Sequence, residues 1–248
     1  MNTLNKHKIL DKLPNNRFEL HLFEIIDSTN DECKRIDQNK DFHVVIAEKQ
    51  TKGKGRLGKN WSSPASGNVY MSIYTKEIET KAPLSLIAGL ICVTTINSMI
   101  GSDSIGLKWP NDILFNKKKI GGILVEKEIK GNNINNIVGI GINLNHPEKE
   151  DWWGDLKKFG IHLRRDELIN KILHSYIEFC DNGFVDWQAL WHQRCVHMNH
   201  EIKIKQNNKI INKGIFLGIN ADGSLNLQVK NNYKVRYEHG EISIDGIY

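Results

Sequence analysis

Cysteine is scarce and never paired in this sequence. Its four cysteines, Cys33, Cys92, Cys180 and Cys195, show no C-x-x-C spacing, which argues against a disulfide framework and against a paired-thiolate zinc site. The polar start Met1-Asn2-Thr3-Leu4-Asn5-Lys6-His7-Lys8 contains no apolar stretch, so no secretory leader is expected and a reducing cytoplasm is the default. Uninterrupted apolar runs are missing as well. Ala82 to Ser102 carries no charge, but Ser85, Gly89, Thr94, Thr95, Asn97 and Ser98 break it and Pro83 stands where a helix would begin; a buried helix is expected, not a membrane span. The Gly-x4-Gly-Lys-Ser/Thr loop does not occur, which removes one familiar nucleotide site. The net charge of +5 falls short of the dense basic surface of a dedicated nucleic-acid binder. His192, Cys195, His197 and His200 lack zinc-motif spacing, so no metal ligand is assigned. Asp166/Glu167 and Asp151/Asp155 have no counterpart that would suggest a glycosidase pair. Repeats and low-complexity linkers are lacking too.

What remains is enough for a sizeable globular core: 248 residues, of which 40% are hydrophobic. The densest chemical signal is Gly53-Lys54-Gly55-Arg56-Leu57-Gly58-Lys59-Asn60-Trp61. Its glycines allow positive φ and let successive N–H groups converge, while Lys54, Arg56 and Lys59 supply charge for a phosphate or carboxylate. About fifty residues later come Lys108-Trp109-Pro110-Asn111-Asp112, then Lys119-Ile120-Gly121-Gly122-Ile123-Leu124, then Gly139-Ile140-Gly141-Ile142-Asn143-Leu144-Asn145. Lys119 follows a turn-like Asn116-Lys117-Lys118, beside glycines that permit a ligand to approach the backbone. By composition alone, Lys117 to Lys119 also read as a solvated hairpin turn. Asp112 reads equally as a turn cap after Pro110, and Trp61 and Trp153 as core aromatics. Ser28-Thr29-Asn30-Asp31 reads as a helix N-cap.

Strand-like runs cover Val44 to Ala47, Val69 to Tyr74, Ile120 to Val125 and Ile137 to Leu144. Leu168, Ile169, Ile172, Leu173, Tyr176, Ile177 and Phe179 instead recur at helical spacing, with Asp166 near the start. From about Met198 the pattern changes to short alternating strands, Ile202 to Ile204, Gly214 to Ile219 and Leu225 to Val229, with a turn at Asn220-Ala221-Asp222-Gly223. A sheet-plus-helices unit followed by a small β unit is expected.

The order and spacing of the four glycine- and lysine-bearing segments, with Ser28-Thr29-Asn30 and Glu48-Lys49-Gln50 upstream, resemble the biotin protein ligase family from about Phe23 onward. The resemblance implies an α+β fold of the class II aminoacyl-tRNA synthetase/biotin ligase kind, a mixed sheet flanked by helices. It further implies a catalytic biotin- and ATP-binding domain over 1–197 and an SH3-like C-terminal β-barrel over 198–248, with Gly240-Glu241-Ile242-Ser243 near its close. The implied activity is ATP-dependent activation of biotin to biotinyl-5′-AMP, then transfer to one lysine of a biotin carboxyl carrier domain, with Mg²⁺ accompanying ATP. Carried onto this sequence, Lys119, Arg56 and Asp112 are the catalytic candidates. Ser28, Thr29, Asn30, Gln50, Lys54, Gly55, Arg56 and Lys119 are candidates for biotin. Gly53, Gly55, Arg56, Gly58, Lys59, Trp61, Asn111, Lys119, Asn143 and Trp153 are candidates for ATP and the adenylate. Lys54 and Lys59 stand where the family tends to arginine, and lysine lacks the bidentate fork. A lipoate or octanoyl ligase or transferase is the alternative enzyme. A biotin-responsive repressor is less favoured, since about twenty residues precede the resemblance, too few for a helix-turn-helix module. No DNA and no membrane partner is expected, and a homodimer is one assembly the resemblance allows.

Overall fold

The computed structural model describes residues 4–37, 39–76, 80, 82–131, 133–147, 150–207, 209–238 and 242–245. In chain order its elements are α1 (Lys6–Ile9), β1 (Phe18–Ile26), α2 (Thr29–Arg35), β2 (Phe42–Gln50), β3 (Val69–Lys76), α3 (Leu84–Ile100), β4 (Gly106–Lys108), β5 (Asp112–Phe115), β6 (Lys118–Lys130) and β7 (Asn133–Ile142). After these come α4 (Arg165–Asn182), α5 (Trp187–Arg194), β8 (Glu201–Gln206), β9 (Lys209–Ile219), β10 (Leu225–Gln228), β11 (Lys234–Tyr237) and β12 (Ile242–Asp245).

Seven strands form one mixed sheet in the order β1-β2-β3-β7-β6-β5-β4. Only β1 and β2 run parallel, and the crossover that parallel pairing demands carries α2. Strand alternation then sorts the side chains. Val44 and Ile46 on β2, Met71 and Ile73 on β3, and Val138 and Ile140 on β7 enter the main core, with α3 and α4. Val45, Tyr74 and Ile137 point to the opposite face, where Cys33 of α2 meets them. The uncharged Ala82–Ser102 segment is the buried helix α3, closed by Gly101 in the left-handed region at φ 67°, as helix ends prefer. No helix among the described residues is long and apolar enough to cross a membrane.

The tail forms a five-stranded antiparallel sheet, β11-β10-β9-β8-β12. Pairing of β11 with β12, which would close it into a barrel, is not among the pairings of the described residues, and Gly240 and Glu241 lie outside those residues. The sheet does not stand apart. Ile202, Ile204, Phe216, Leu225, Leu227, Ile242 and Ile244 belong to the same apolar cluster as α3 and the large sheet. Trp109 Nε1 donates to the Gly223 carbonyl at 2.9 Å, joining the two units at the base of the cavity described next.

Candidate active site

The centre of the large sheet is hollowed by missing side chains. A Cβ on Gly139 would lie 2.4 Å from Asn30 Oδ1, and one on Gly141 would lie 2.6 Å from the Trp61 ring; only glycine leaves room there for α2 and for the Gly53–Trp61 loop. Between them a cavity of about 400 Å³ opens. Every candidate site residue of the sequence reading lines it except Gly53 and Gly58, which shape the loop instead. Its charged lining consists of Lys54, Arg56, Lys59, Lys108, Lys119 and Lys205 against the single carboxylate of Asp112, a field that favours an anionic occupant.

One end of the cavity is polar and tightly bonded. Ser28 caps α2, its side chain accepting from Asp31 N, so the N-cap reading and the cavity position hold together. Gln50 Oε1 accepts from Thr29 N at 2.8 Å and from Thr29 Oγ1 at 3.0 Å, and Gln50 Nε2 donates to Ser63 Oγ. Ser72 Oγ bonds Thr29 Oγ1 at 2.7 Å and Asn30 Oδ1 at 2.6 Å. Asn30 Nδ2 donates to Glu126 Oε2 at 2.7 Å. These buried groups are oriented in advance, which is what recognition of a small polar ring requires. Ser72, Ser63 and Glu126 escaped the sequence reading, having no local motif to mark them.

At the other end, Lys119 Nζ sits 2.6 Å from Asp112 Oδ1, the side chains only 16% and 14% exposed. Asn116 and Lys117 make the β5–β6 turn with φ of 47° and 62°, while Lys119, already in β6, points inward; the solvated-turn reading applies to its neighbours and not to it. The Lys119 ammonium is 5.3 Å from the Trp61 ring centroid and 6.0 Å from that of Trp152, within cation–π range. Its backbone N–H donates to the Trp152 carbonyl and its carbonyl accepts from Gly154 N, which fixes the loop bearing Trp152 and Trp153 against the cavity. Arg56 donates to Asn111 Oδ1 and to the Ile242 carbonyl, each at 3.4 Å. Burial lowers the Arg56 pKa and the charge of Asp112 opposes that shift; Asp112 therefore serves two cations. Asn143 Nδ2 donates to the Gly154 carbonyl at 3.1 Å. Asn143 Oδ1 and Trp61 Nε1 are buried without a partner, an expensive state unless a ligand supplies the missing group.

The second sheet also lines the cavity, through Lys205 on β8 and Ile244 on β12. Ser62, Tyr70, Met71, Lys108 and His146 line it as well, none of them a candidate of the sequence reading. His192, Cys195, His197 and His200 do not converge on a ligand site: His192 Nε2 accepts from Ile219 N, and His200 Nδ1 is bonded near the Met198 carbonyl. Elsewhere, Glu19, His21 and His43 bring potential ligand atoms together. However, His43 Nε2 accepts from Lys40 N at 3.0 Å, which puts the proton of the neutral ring on Nδ1, the atom that would have to face a metal.

Residues 22–143 match the Biotin/lipoate A/B protein ligase family. Over 255 aligned residues the chain is 31% identical to the bifunctional ligase/repressor BirA of Escherichia coli K12, covering 97% of this chain and 78% of that protein. It is 34% identical over 115 residues to the biotin–[acetyl-CoA-carboxylase] ligase of Mycobacterium tuberculosis, 44% of this chain and 42% of that one. Among solved structures, the biotin protein ligase of Aquifex aeolicus in complex with biotin and ATP superposes with a TM-score of 0.75 at 25% identity, covering 92% of this chain and 98% of that chain.

Proposed function

The chain belongs to the biotin/lipoate protein ligase family as a biotin protein ligase, and from that premise we infer how its cavity divides the work. The reaction has two steps. A biotin carboxylate attacks the α-phosphate of ATP, giving biotinyl-5′-AMP and pyrophosphate; a carrier lysine then attacks the activated carbonyl, giving an amide and AMP. The first step brings an anion onto an anion, so its barrier depends on cations at the reacting oxygens. Lys119 is that cation, held in place by Asp112. Arg56 shields the mixed anhydride from water under the Gly53–Trp61 loop, with Gly55, Lys59 and Asn111 beside it. Ser28, Thr29, Asn30 and Gln50 take the ureido ring, and Trp61 and Trp153 wall the nucleotide. Asp112, adjacent to both cations, orients or deprotonates the incoming lysine in the second step.

Mg²⁺ suits this chain at one point. The orphaned, buried Asn143 Oδ1 is a hard oxygen donor, and a Mg²⁺ held mostly by phosphates and water needs only one or two such protein ligands. Bound with ATP, the ion would offset phosphate charge. The proposal extends to a carrier domain of a biotin-dependent carboxylase as acceptor, a division into units at 197/198, and a cytoplasmic location, which the four free cysteines suit.

The observation that carries the reading is the joining, in one cavity, of the bonded polar end at Thr29–Gln50 to the Lys119–Asp112 pair. Radiolabelled biotin incubated with ATP and a purified carrier domain should label one lysine, and excess lipoate should not compete. Competition by lipoate would transfer the assignment to the alternative substrate.

A further inference from the structure

The Gly53–Trp61 loop is closed on itself. Gly55 N donates to the Lys59 carbonyl at 2.7 Å and Trp61 N to the Gly53 carbonyl at 2.9 Å, so the segment is braced within itself. Within it Lys54 lines the cavity, yet its ammonium lies 2.5 Å from Asp31 Oδ1. Asp31 sits in the first turn of α2, where the helix dipole favours a carboxylate. The same turn carries Thr29 and Asn30. Lys34, 3.8 Å from Asp31, is also 3.0 Å from Glu126, the acceptor for Asn30. One connected set of charges thus runs from the loop to the polar end of the cavity.

Asp112 lines the cavity beside Lys119, whereas Asp31 is not among the lining residues, so its pair draws the Lys54 ammonium away from a ligand in the cavity. We infer that Lys54 is not a ligand-binding cation and that Asp31 is a positioning residue, tethering the anion loop to α2 through Lys54 and holding it over the cavity. The retained species depends on the ligase reading above, while the tether itself does not. Because both partners are partly exposed, the tether is a modest one. An ion pair of this kind supports a change of about two- to fivefold.

Hydrogen exchange of the amides of residues 53–61 in the ligand-free protein tests the tether directly. Asp31→Asn should speed exchange there by about two- to fivefold at low salt, leave the α2 amides of residues 32–36 slow, and match the parent at about 1 M salt, where the pair is screened. In a second arm, biotinyl-adenylate release should quicken by a similar factor in Asp31→Asn and in Lys54→Gln. The double variant should be no faster than either, and the exchanged pair Asp31→Lys/Lys54→Asp should return toward the parent. Loop exchange unchanged in Asp31→Asn overturns the proposal. So does additive loss in the double variant, since Lys54 would then contact the ligand itself. A parent protein that forms no adenylate from biotin and ATP would count against the ligase reading alone, the exchange arm still deciding the tether.

Discussion

Asp112 is placed so that removing its charge disturbs more than one step. It lies 2.6 Å from Lys119 Nζ and its field reaches Arg56. Asp112→Asn should therefore slow transfer to the carrier by roughly 10²–10⁴, the range for lost acid–base help, and adenylate synthesis by a smaller factor through a less well held Lys119. The transfer deficit should narrow as pH rises toward the acceptor lysine's ordinary pKa of about 10.4, where free amine needs no assistance. Single-turnover transfer from preformed adenylate, followed across pH, checks this; equal losses in both half-reactions would reduce Asp112 to an ATP-site residue. Lys119→Gln should leave the fold intact and cut pyrophosphate release by about 10²–10³, as expected for loss of one preorganised cation. A folded variant releasing pyrophosphate at the parent rate would exclude Lys119 from the role.

At the level of elements, the glycines of β7 matter more than their small size suggests. Gly139→Ala would put a methyl carbon 2.4 Å from Asn30 Oδ1, so the Asn30 side chain at the start of α2 must swing away and give up its bonds to Ser72 and Glu126. The expected result is a biotin affinity lowered at least about tenfold and a loss of about 1–3 kcal/mol in stability, the range for overpacking, read by calorimetric titration and urea unfolding. Unchanged biotin binding would show that the α2 terminus tolerates the shift. The strands β2, β3, β6 and β7, the buried α3 and the amphipathic α4 were all legible in the sequence, because composition and periodicity are local signals. So was the loop with its cations, through motif order. Short elements such as β4, with three residues, give periodicity nothing to act on. Lys205 and Ile244 reach the cavity, and Ser72 and Glu126 reach the Thr29 and Asn30 that line it, only by strand pairing between distant segments, which no window of sequence can report. The ion pair of Lys54 with Asp31 was out of reach for the same reason: the partner lies 23 residues away on another element.

Across the whole molecule, buried histidines set the response to acid. His197 is fully buried against Trp191 and Phe216; burial, with the charge of Lys108 adding to it, pushes its pKa down to about 3. Burial lowers His43 and His192 as well. With the folded pKa depressed, the unfolded chain binds more protons between about pH 6.5 and 3. Stability is therefore complete above about 6.5 and is lost as pH falls through that window, by about 2 kcal/mol between pH 7 and 5 for His197. Urea unfolding at the two pH values should show the loss, and His197→Leu should flatten it; an identical slope in the variant would assign the acid sensitivity elsewhere. The union of the two sheets has a consequence in time. A growing polypeptide folds its early segments first, and the seven-stranded sheet is finished once Ile142 has emerged. Yet the wall of the cavity includes Ile244, and Arg56 rests on the carbonyl of Ile242, both on a strand that pairs with β8. A partly translated chain thus holds an unroofed pocket, and the cavity gains its last wall only when β12 leaves the ribosome.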